Sequence, residues 1–169
     1  GGKTNNPKGK IGNATIKVEG GDISAQFVMA GGAGEGAISK FEMTGGTISN
    51  SDVHDNEYYH VQKNGGAVYM EDGAFTMSGG TIQNCSAETG GAVYIKKSAN
   101  ALQNPTFTMS GGIIQDCMSE TNGGAVYLEV GEVKLTGSAT IQRNLAQQGN
   151  GGAVYITAGD FSMNGNTSV

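Results

Sequence analysis

The five-residue word Gly-Gly-Ala-Val-Tyr occurs four times in this chain, and its recurrence constrains the fold more than any other feature. The copies begin at Gly65, Gly90, Gly123 and Gly151, so successive starts are 25, 33 and 28 residues apart. Periods of about 20 to 50 residues are typical of solenoids, propellers and other repeat arrays. We therefore predict a repeat protein whose shortest unit is 25 residues long.

A second word, Phe-Thr-Met-Ser-Gly-Gly, alternates with the first at Phe75 and Phe107, with relatives beginning at Phe41, Val133 and Phe161. In the unit 65–89, three short β-type segments are bounded by Gly, Asp, Asn or Ser. No window has helical periodicity, and 30 glycines in 169 residues disfavour helices. The pattern predicts an all-β, three-sided parallel β-helix, or β-solenoid, of about six coils.

Superimposing the words places equivalent residues of successive coils in columns about 4.8 Å apart. Because strand side chains alternate between two faces, we expect five apolar columns to fill the core, and they begin at Val68, Met70, Phe41, Met43 and Ile48. The expected outward columns contain Ala67, Tyr69, Thr76, Gln83 and their equivalents. At the corner after the third strand, a polar ladder is expected from Asn50, Asn84, Asp116 and Asn144.

The chain divides into a polar segment, 1–13, and a single β-helix domain, 14–169, with insertions at 51–64 and 96–106. Residues 161–169 enter a new coil and stop within its third strand. An open sheet end is normally capped. We therefore expect a domain excised from a longer solenoid, with further coils in the parent chain.

Charge and hydropathy exclude several classes of partner. A net charge of −5 and a single arginine, Arg143, argue against nucleic acid, which requires clustered Lys and Arg. The sequence contains no run of about 18 apolar residues, so membrane insertion of this segment is not expected. The glycine run 31–36 lacks both the aspartate of a calcium repeat and the helix that follows a nucleotide loop, so no cofactor is expected. Charged residues form only 15% of the chain, which favours an extracellular solenoid.

The alternation of the two words resembles the right-handed parallel β-helix repeats of bacterial cell-surface proteins. It is similar to the passenger regions of polymorphic outer-membrane adhesins, which carry Gly-Gly-Ala-Ile/Leu/Val and Phe-x-x-Asn words. The first word stands at 65–68, 90–93, 123–126 and 151–154, and the second at Phe161–Asn164, with Ser or Thr in the Asn position of the other coils. The resemblance implies an extracellular module at the bacterial surface, either an adhesin segment or a structural stalk.

The outward tyrosines are the first candidate binding residues: Tyr69, Tyr94, Tyr127 and Tyr155. A ladder of aromatic rings can receive a glycan or a strand of a host surface protein, because each ring combines apolar area with a polar tip. The same ladder can instead serve only to stabilise the solenoid through ring stacking. The residues leave both interpretations open.

The insertion 51–64 carries the second set of candidates: His54, Tyr58, Tyr59 and His60. Loops on a rigid scaffold are frequent binding sites. His54 and His60, with Asp52 or Asp55, offer imidazole and carboxylate ligands to zinc, although their spacing matches no established zinc motif. A solvated polar loop is the alternative. The insertion 96–106 is either a ligand-contacting loop or a surface variation.

Cys85 and Cys117 follow Asn84 and Asp116 at equivalent places in adjacent coils. A separation of about 4.8 Å between their Cα atoms lies within the range of disulfides, although parallel side chains hold the Cβ atoms farther apart than a disulfide prefers. A disulfide and a pair of buried free thiols both remain open.

Some parallel β-helices are polysaccharide lyases or hydrolases, which need clustered acids in an external groove. The sequence predicts no such cluster, because Glu71, Asp72, Glu129, Glu132 and Asp160 are expected in turns. Asp116 with Arg143 is the nearest approach to a catalytic pair. We therefore expect a non-catalytic surface module; a polysaccharide-binding or polysaccharide-cleaving enzyme is the alternative.

Overall fold

The computed structural model describes residues 14–29, 39–50, 62–99 and 101–169, and within these ranges every regular element is a β-strand. The strands are β1 (Ala14–Val18), β2 (Asp22–Ser24), β3 (Phe27–Met29), β4 (Ser39–Met43), β5 (Thr47–Asn50), β6 (Gln62–Asn64), β7 (Val68–Glu71), β8 (Ala74–Met77), β9 (Thr81–Thr89), β10 (Val93–Lys96), β11 (Thr106–Met109), β12 (Ile113–Gln115), β13 (Met118–Ser119), β14 (Val126–Leu135), β15 (Thr140–Gln142), β16 (Leu145–Ala146) and β17 (Val154–Met163). The segment 1–13 and residues 51–61 of the first insertion lie outside the described part.

Every pairing between the described strands is parallel, and the strands form stacks that repeat from coil to coil. The tyrosine words lie in β7, β10, β14 and β17, which form one stack with β3. The phenylalanine words and their relatives lie in β4, β8, β11, β14 and β17, which form a second stack with β1. Strands β14 and β17 belong to both stacks because each runs through both words. The isoleucine strands form β2, β5, β9, β12 and β15. The fold is therefore a parallel β-solenoid, as predicted. The described residues form about 5 turns, where about six coils were expected.

A fourth, short stack follows the isoleucine strands and was not predicted from the sequence. It consists of β6, the second half of β9, β13 and β16. Its strands contain only two or three residues apart from β9. Segments this short carry no alternation pattern that distinguishes them from turns.

The five predicted apolar columns form one continuous core along the axis. The side chains of Phe41, Phe75 and Phe107 are fully buried, and their rings stack with centroids 5.0 and 4.7 Å apart. The burial ends in the last coil, where Phe161 is 47% exposed and Met163 is 44% exposed. A ring inside the stack, such as that of Phe75, is therefore covered by the rings of the preceding and the following coil, whereas Phe161 has no following coil in this chain.

The alanine of each Gly-Gly-Ala-Val-Tyr word faces the core, which corrects the prediction that Ala67 and its equivalents face outward. Ala67 is fully buried, as are Ala92 and Ala125. The N–H groups of Ala67 and Val68 both donate to the Ala92 carbonyl, at 2.8 and 3.0 Å. Two successive donors on one acceptor form a bulge, so strand alternation begins only at the valine.

The predicted polar ladder is also corrected, because its members lie in two separate columns. Asn50 pairs with Cys85 through a register shift after Ser49, so Asn50 is not level with Asn84. Asn84 and Asp116 instead adopt left-handed conformations with φ of 53° and 54°. Arg143 continues this second column, with φ of 53°.

The two glycines of each word are required for different reasons. Gly65 has φ of +63°, a conformation that L side chains rarely adopt, at the corner before β7. Gly66 has no such φ, but a Cβ there would lie 2.8 Å from the backbone nitrogen of Ser86 and would overlap the Gly91 carbonyl of the next coil. The corner therefore allows the coils to stack only without side chains.

Candidate functional site

Tyr69, Tyr94, Tyr127 and Tyr155 form the tyrosine ladder, which lies on the outer face of β7, β10, β14 and β17. Ring centroids of successive tyrosines are 5.7, 4.9 and 5.5 Å apart, with interplanar angles of 16°, 5° and 18°. The predicted ladder is thus confirmed as a geometric feature. All four side chains are half-buried.

A second outward column, which sequence reasoning missed, runs beside the tyrosine ladder. It contains Glu71, Lys96, Glu129 and Thr157, each two residues after a tyrosine, and we call it the flanking column. The prediction that Glu71, Glu129, Glu132 and Asp160 lie in turns was wrong, because all four lie within strands. The period-two rule that placed the tyrosines outward could have found this column.

The flanking column binds to the tyrosine ladder through side-chain hydrogen bonds. The Tyr69 hydroxyl donates to Glu71 Oε1 at 2.8 Å, and Lys96 Nζ lies 2.8 Å from the same carboxylate oxygen. At the other end, the hydroxyl oxygens of Tyr127 and Thr157 are 2.9 Å apart. Together the two columns form an ordered stripe of hydroxyl and charged groups.

Two phenols of the ladder, those of Tyr69 and Tyr94, have a raised pKa. Burial, and next the negative charge of Glu129, raise the pKa of Tyr94 to about 12. Burial and the hydrogen bond to Glu71 raise the pKa of Tyr69, while the Glu71 carboxylate raises the pKa of Lys96. At neutral pH, Tyr69 and Tyr94 are therefore neutral and Lys96 is protonated.

The stacking geometry determines which part of each ring is available to a ligand. Tyr94 and Tyr127 are covered on both faces by neighbouring rings, since each stacks with the tyrosine before it and the tyrosine after it. Tyr69 is the first tyrosine of the ladder, and the residue paired with it on the preceding strand, β3, is Val28. Ring edges and hydroxyl groups are thus the accessible parts of the inner tyrosines, and stacking of a sugar on the faces of those rings is blocked.

The second insertion, 96–106, leaves β10 directly beside the ladder and is fastened to the solenoid. Asp72 is buried and accepts hydrogen bonds from the backbone N–H of Ser98, at 2.8 Å, and from its hydroxyl group. Lys97 Nζ donates to Asn104 Oδ1 at 2.8 Å. Pro105 precedes β11, where the regular strand resumes.

The candidates of the first insertion lie outside the described residues. They are Asp52, His54, Asp55, Tyr58, Tyr59 and His60. In the described ranges, no three His, Cys, Asp or Glu side chains lie close enough together to hold a metal ion.

Cys85 and Cys117 are both buried and both free, so this structure contains no disulfide between them. The thiol of Cys117 lowers the pKa of Cys85, and the proximity of Cys85, together with burial, raises the pKa of Cys117. The two groups are therefore near enough to affect each other.

Asp116 and Arg143 form an exposed ion pair in the column of left-handed residues. Arg143 Nε and Nη2 donate to the two Asp116 carboxylate oxygens, each at 2.7 Å, and Nη2 also donates to Gln115 Oε1 at 2.8 Å. Arg143 holds the pKa of Asp116 below its ordinary value. A carboxylate held as an ion in this way is poorly suited to act as a general acid near neutral pH.

Within residues 14–29, 39–50, 62–99 and 101–169, no helix is long and apolar enough to span a lipid bilayer. Comparisons of the chain with protein-family models, with curated proteins and with solved structures found no significant match.

Proposed function

We propose that this chain is a non-catalytic β-solenoid module of an extracellular bacterial surface protein, an adhesin segment or stalk that contacts a glycan or a host surface protein. The observation that carries the contact proposal is the tyrosine ladder with its flanking column. The bacterial surface location rests on the resemblance of the repeated words. In this proposal the solenoid is the rigid support and the stripe is the contact surface.

The stripe has properties expected of a contact surface for polar, extended ligands. Its hydroxyl groups repeat from coil to coil with the rings, at centroid spacings of 4.9 to 5.7 Å. Its side chains are partly ordered by internal hydrogen bonds before any ligand arrives. A preordered surface loses less conformational entropy on binding, so it favours a ligand with regularly spaced hydroxyl or amide groups.

The experiment separates ring stacking from hydroxyl contact. The double variant Tyr94→Phe/Tyr127→Phe keeps both rings, whereas Tyr94→Ser/Tyr127→Ser removes rings and phenols together. Two lost hydrogen bonds of about 0.7 kcal/mol each lower affinity by about tenfold. Binding of the purified chain to a glycan array and to host cells is the measurement.

The matched control is Thr76→Val/Thr108→Val, which removes two outward hydroxyl groups from the phenylalanine stack. We expect the Phe double variant to lose binding and the Val double variant to retain it. Unaltered binding by the Tyr94→Ser/Tyr127→Ser variant, with a lower unfolding temperature, would restrict the ladder to a stabilising role. Release of reducing ends from a polysaccharide panel by the parent chain would favour the enzyme alternative.

A further inference from the structure

Cys85 and Cys117 occupy equivalent positions in adjacent coils and have the same side-chain geometry. The Sγ atom of Cys85 lies 3.2 Å from the carbonyl oxygen of Gln83, and that of Cys117 lies 3.2 Å from the carbonyl oxygen of Gln115. In both cases the acceptor is two residues back along the chain. The two sulfur atoms are therefore related by the coil repeat, and their separation is expected to be close to the spacing of stacked strands, about 4.8 Å.

This separation does not match a disulfide but does match a bridging metal ion. An S–S bond is about 2.05 Å long, so both side chains would have to leave their present orientations to form one. A metal–thiolate bond is about 2.3 Å long. An ion midway between the two sulfurs would thus have two bonds of ordinary length in a nearly linear arrangement.

Within the described residues, no third His, Cys, Asp or Glu side chain joins the two thiols, and the amides that flank them bind backbone groups. Asn50 lies level with Cys85 on the preceding coil, and its Nδ2 donates to the Gly66 carbonyl at 2.7 Å. On the following coil, Asn144 Oδ1 accepts a hydrogen bond from the Cys117 backbone N–H at 2.9 Å. Both amides are thus committed to backbone partners.

Both cysteines belong to the hydrophobic core and are 1% exposed. An apolar site disfavours net charge. Two thiolates neutralise a divalent ion completely, whereas they leave one negative charge on a monovalent ion. The thiols therefore match a divalent ion that accepts two soft ligands.

We propose that Cys85 and Cys117 form a two-coordinate binding site for a soft, thiophilic metal ion, with divalent mercury as its best representative. Thiolates select soft ions over hard ones. On binding, two S–H bonds break, two metal–sulfur bonds form and two protons pass to solvent, so no oxidant or reductant is required. The site is independent of the proposed surface role, since it lies inside the solenoid.

The test uses the folded, reduced chain with mercuric chloride, and silver nitrate as a monovalent comparison. Native mass spectrometry should show one mercury ion per chain and the loss of two protons. Both thiols should then resist alkylation, and the unfolding temperature should rise because the ion binds only the folded arrangement. Silver should bind more weakly, as shown by competition with mercury.

The matched control is Cys117→Ser/Ser138→Cys, which retains two thiols but places one at an exposed position away from Cys85. In this variant one ion should not protect both thiols of the folded chain. Binding of two mercury ions to the parent chain, one per thiol, would overturn the proposal, as would binding only after unfolding. A mass lower by two hydrogen atoms without metal uptake, with dioxygen from air as the oxidant, would show a disulfide in place of the metal site.

Discussion

Replacing Gly91 with alanine is expected to destabilise the solenoid by about 3 kcal/mol or more. A Cβ at this position would lie 2.6 Å from both the carbonyl carbon and the carbonyl oxygen of Met118 and would overlap the Gly124 carbonyl oxygen. All of these are backbone atoms, so no flexible side chain can move aside. Overpacking that side chains can absorb costs about 1–3 kcal/mol, and a backbone overlap belongs at or above the top of that range.

The conformation of Gly91 isolates this effect, because its φ is not in the left-handed region. Alanine is therefore opposed here only by the neighbouring coil. At about 2–4 °C per kcal/mol for a chain of this size, the unfolding temperature should fall by about 6–12 °C. Urea unfolding followed by far-ultraviolet circular dichroism measures the free energy directly.

Gly20→Ala is the matched control. A Cβ at Gly20 meets no atom within 4 Å, and φ there is also outside the left-handed region. Its free energy of unfolding should stay within about 0.5 kcal/mol of the parent chain. If Gly91→Ala and Gly20→Ala have the same urea midpoint, the close approach of glycine corners does not determine how the coils stack.

Three further predictions concern side chains. Because the pKa of Tyr94 is raised from 10.0 to about 12, the unfolded chain loses this proton first, so the free energy of unfolding should fall as pH rises through that interval. Tyr94→Phe should flatten this slope in denaturant unfolding. Asp72→Gly tolerates the φ of 60° at this position but removes two hydrogen bonds with Ser98. Urea unfolding should therefore show a free energy of unfolding lower by about 1–3 kcal/mol, with a smaller decrease for Asp72→Asn. Arg143→Gln should return the pKa of Asp116 toward its ordinary value in an NMR titration with little change in the urea midpoint, because the pair is exposed.

The repeated words were sufficient to predict the stacking of coils and the alignment of residues within strands. Val68, Val93 and Val126 are paired in the structure as the superposition of the words predicts. In a parallel stack, equal residues at equal positions bury the same surface in every coil, and a slip of one residue would turn the whole apolar set outward. Periodicity therefore carries information about both the fold and the core.

Where the backbone departs from regular strand alternation or register, the sequence was not sufficient. The inward alanines depend on two N–H groups that share one carbonyl of the next coil, as Ala67 and Val68 do with Ala92. The position of Asn50 beside Cys85 depends on a register shift between β5 and β9. Such hydrogen bonds join residues distant in sequence, and no local pattern specifies which donors will share an acceptor.

The candidate site likewise has one part that the sequence predicted and one part that only the tertiary structure decided. Period-two alternation determined that four tyrosines share the outer face, and it equally implies the flanking column of Glu71, Lys96, Glu129 and Thr157. Only the tertiary structure decided that the rings cover one another's faces, which leaves edges and hydroxyl groups for contact. Alternation specifies the side of the sheet from which a side chain projects, whereas the tilt of a ring depends on its packing against rings of the neighbouring coils.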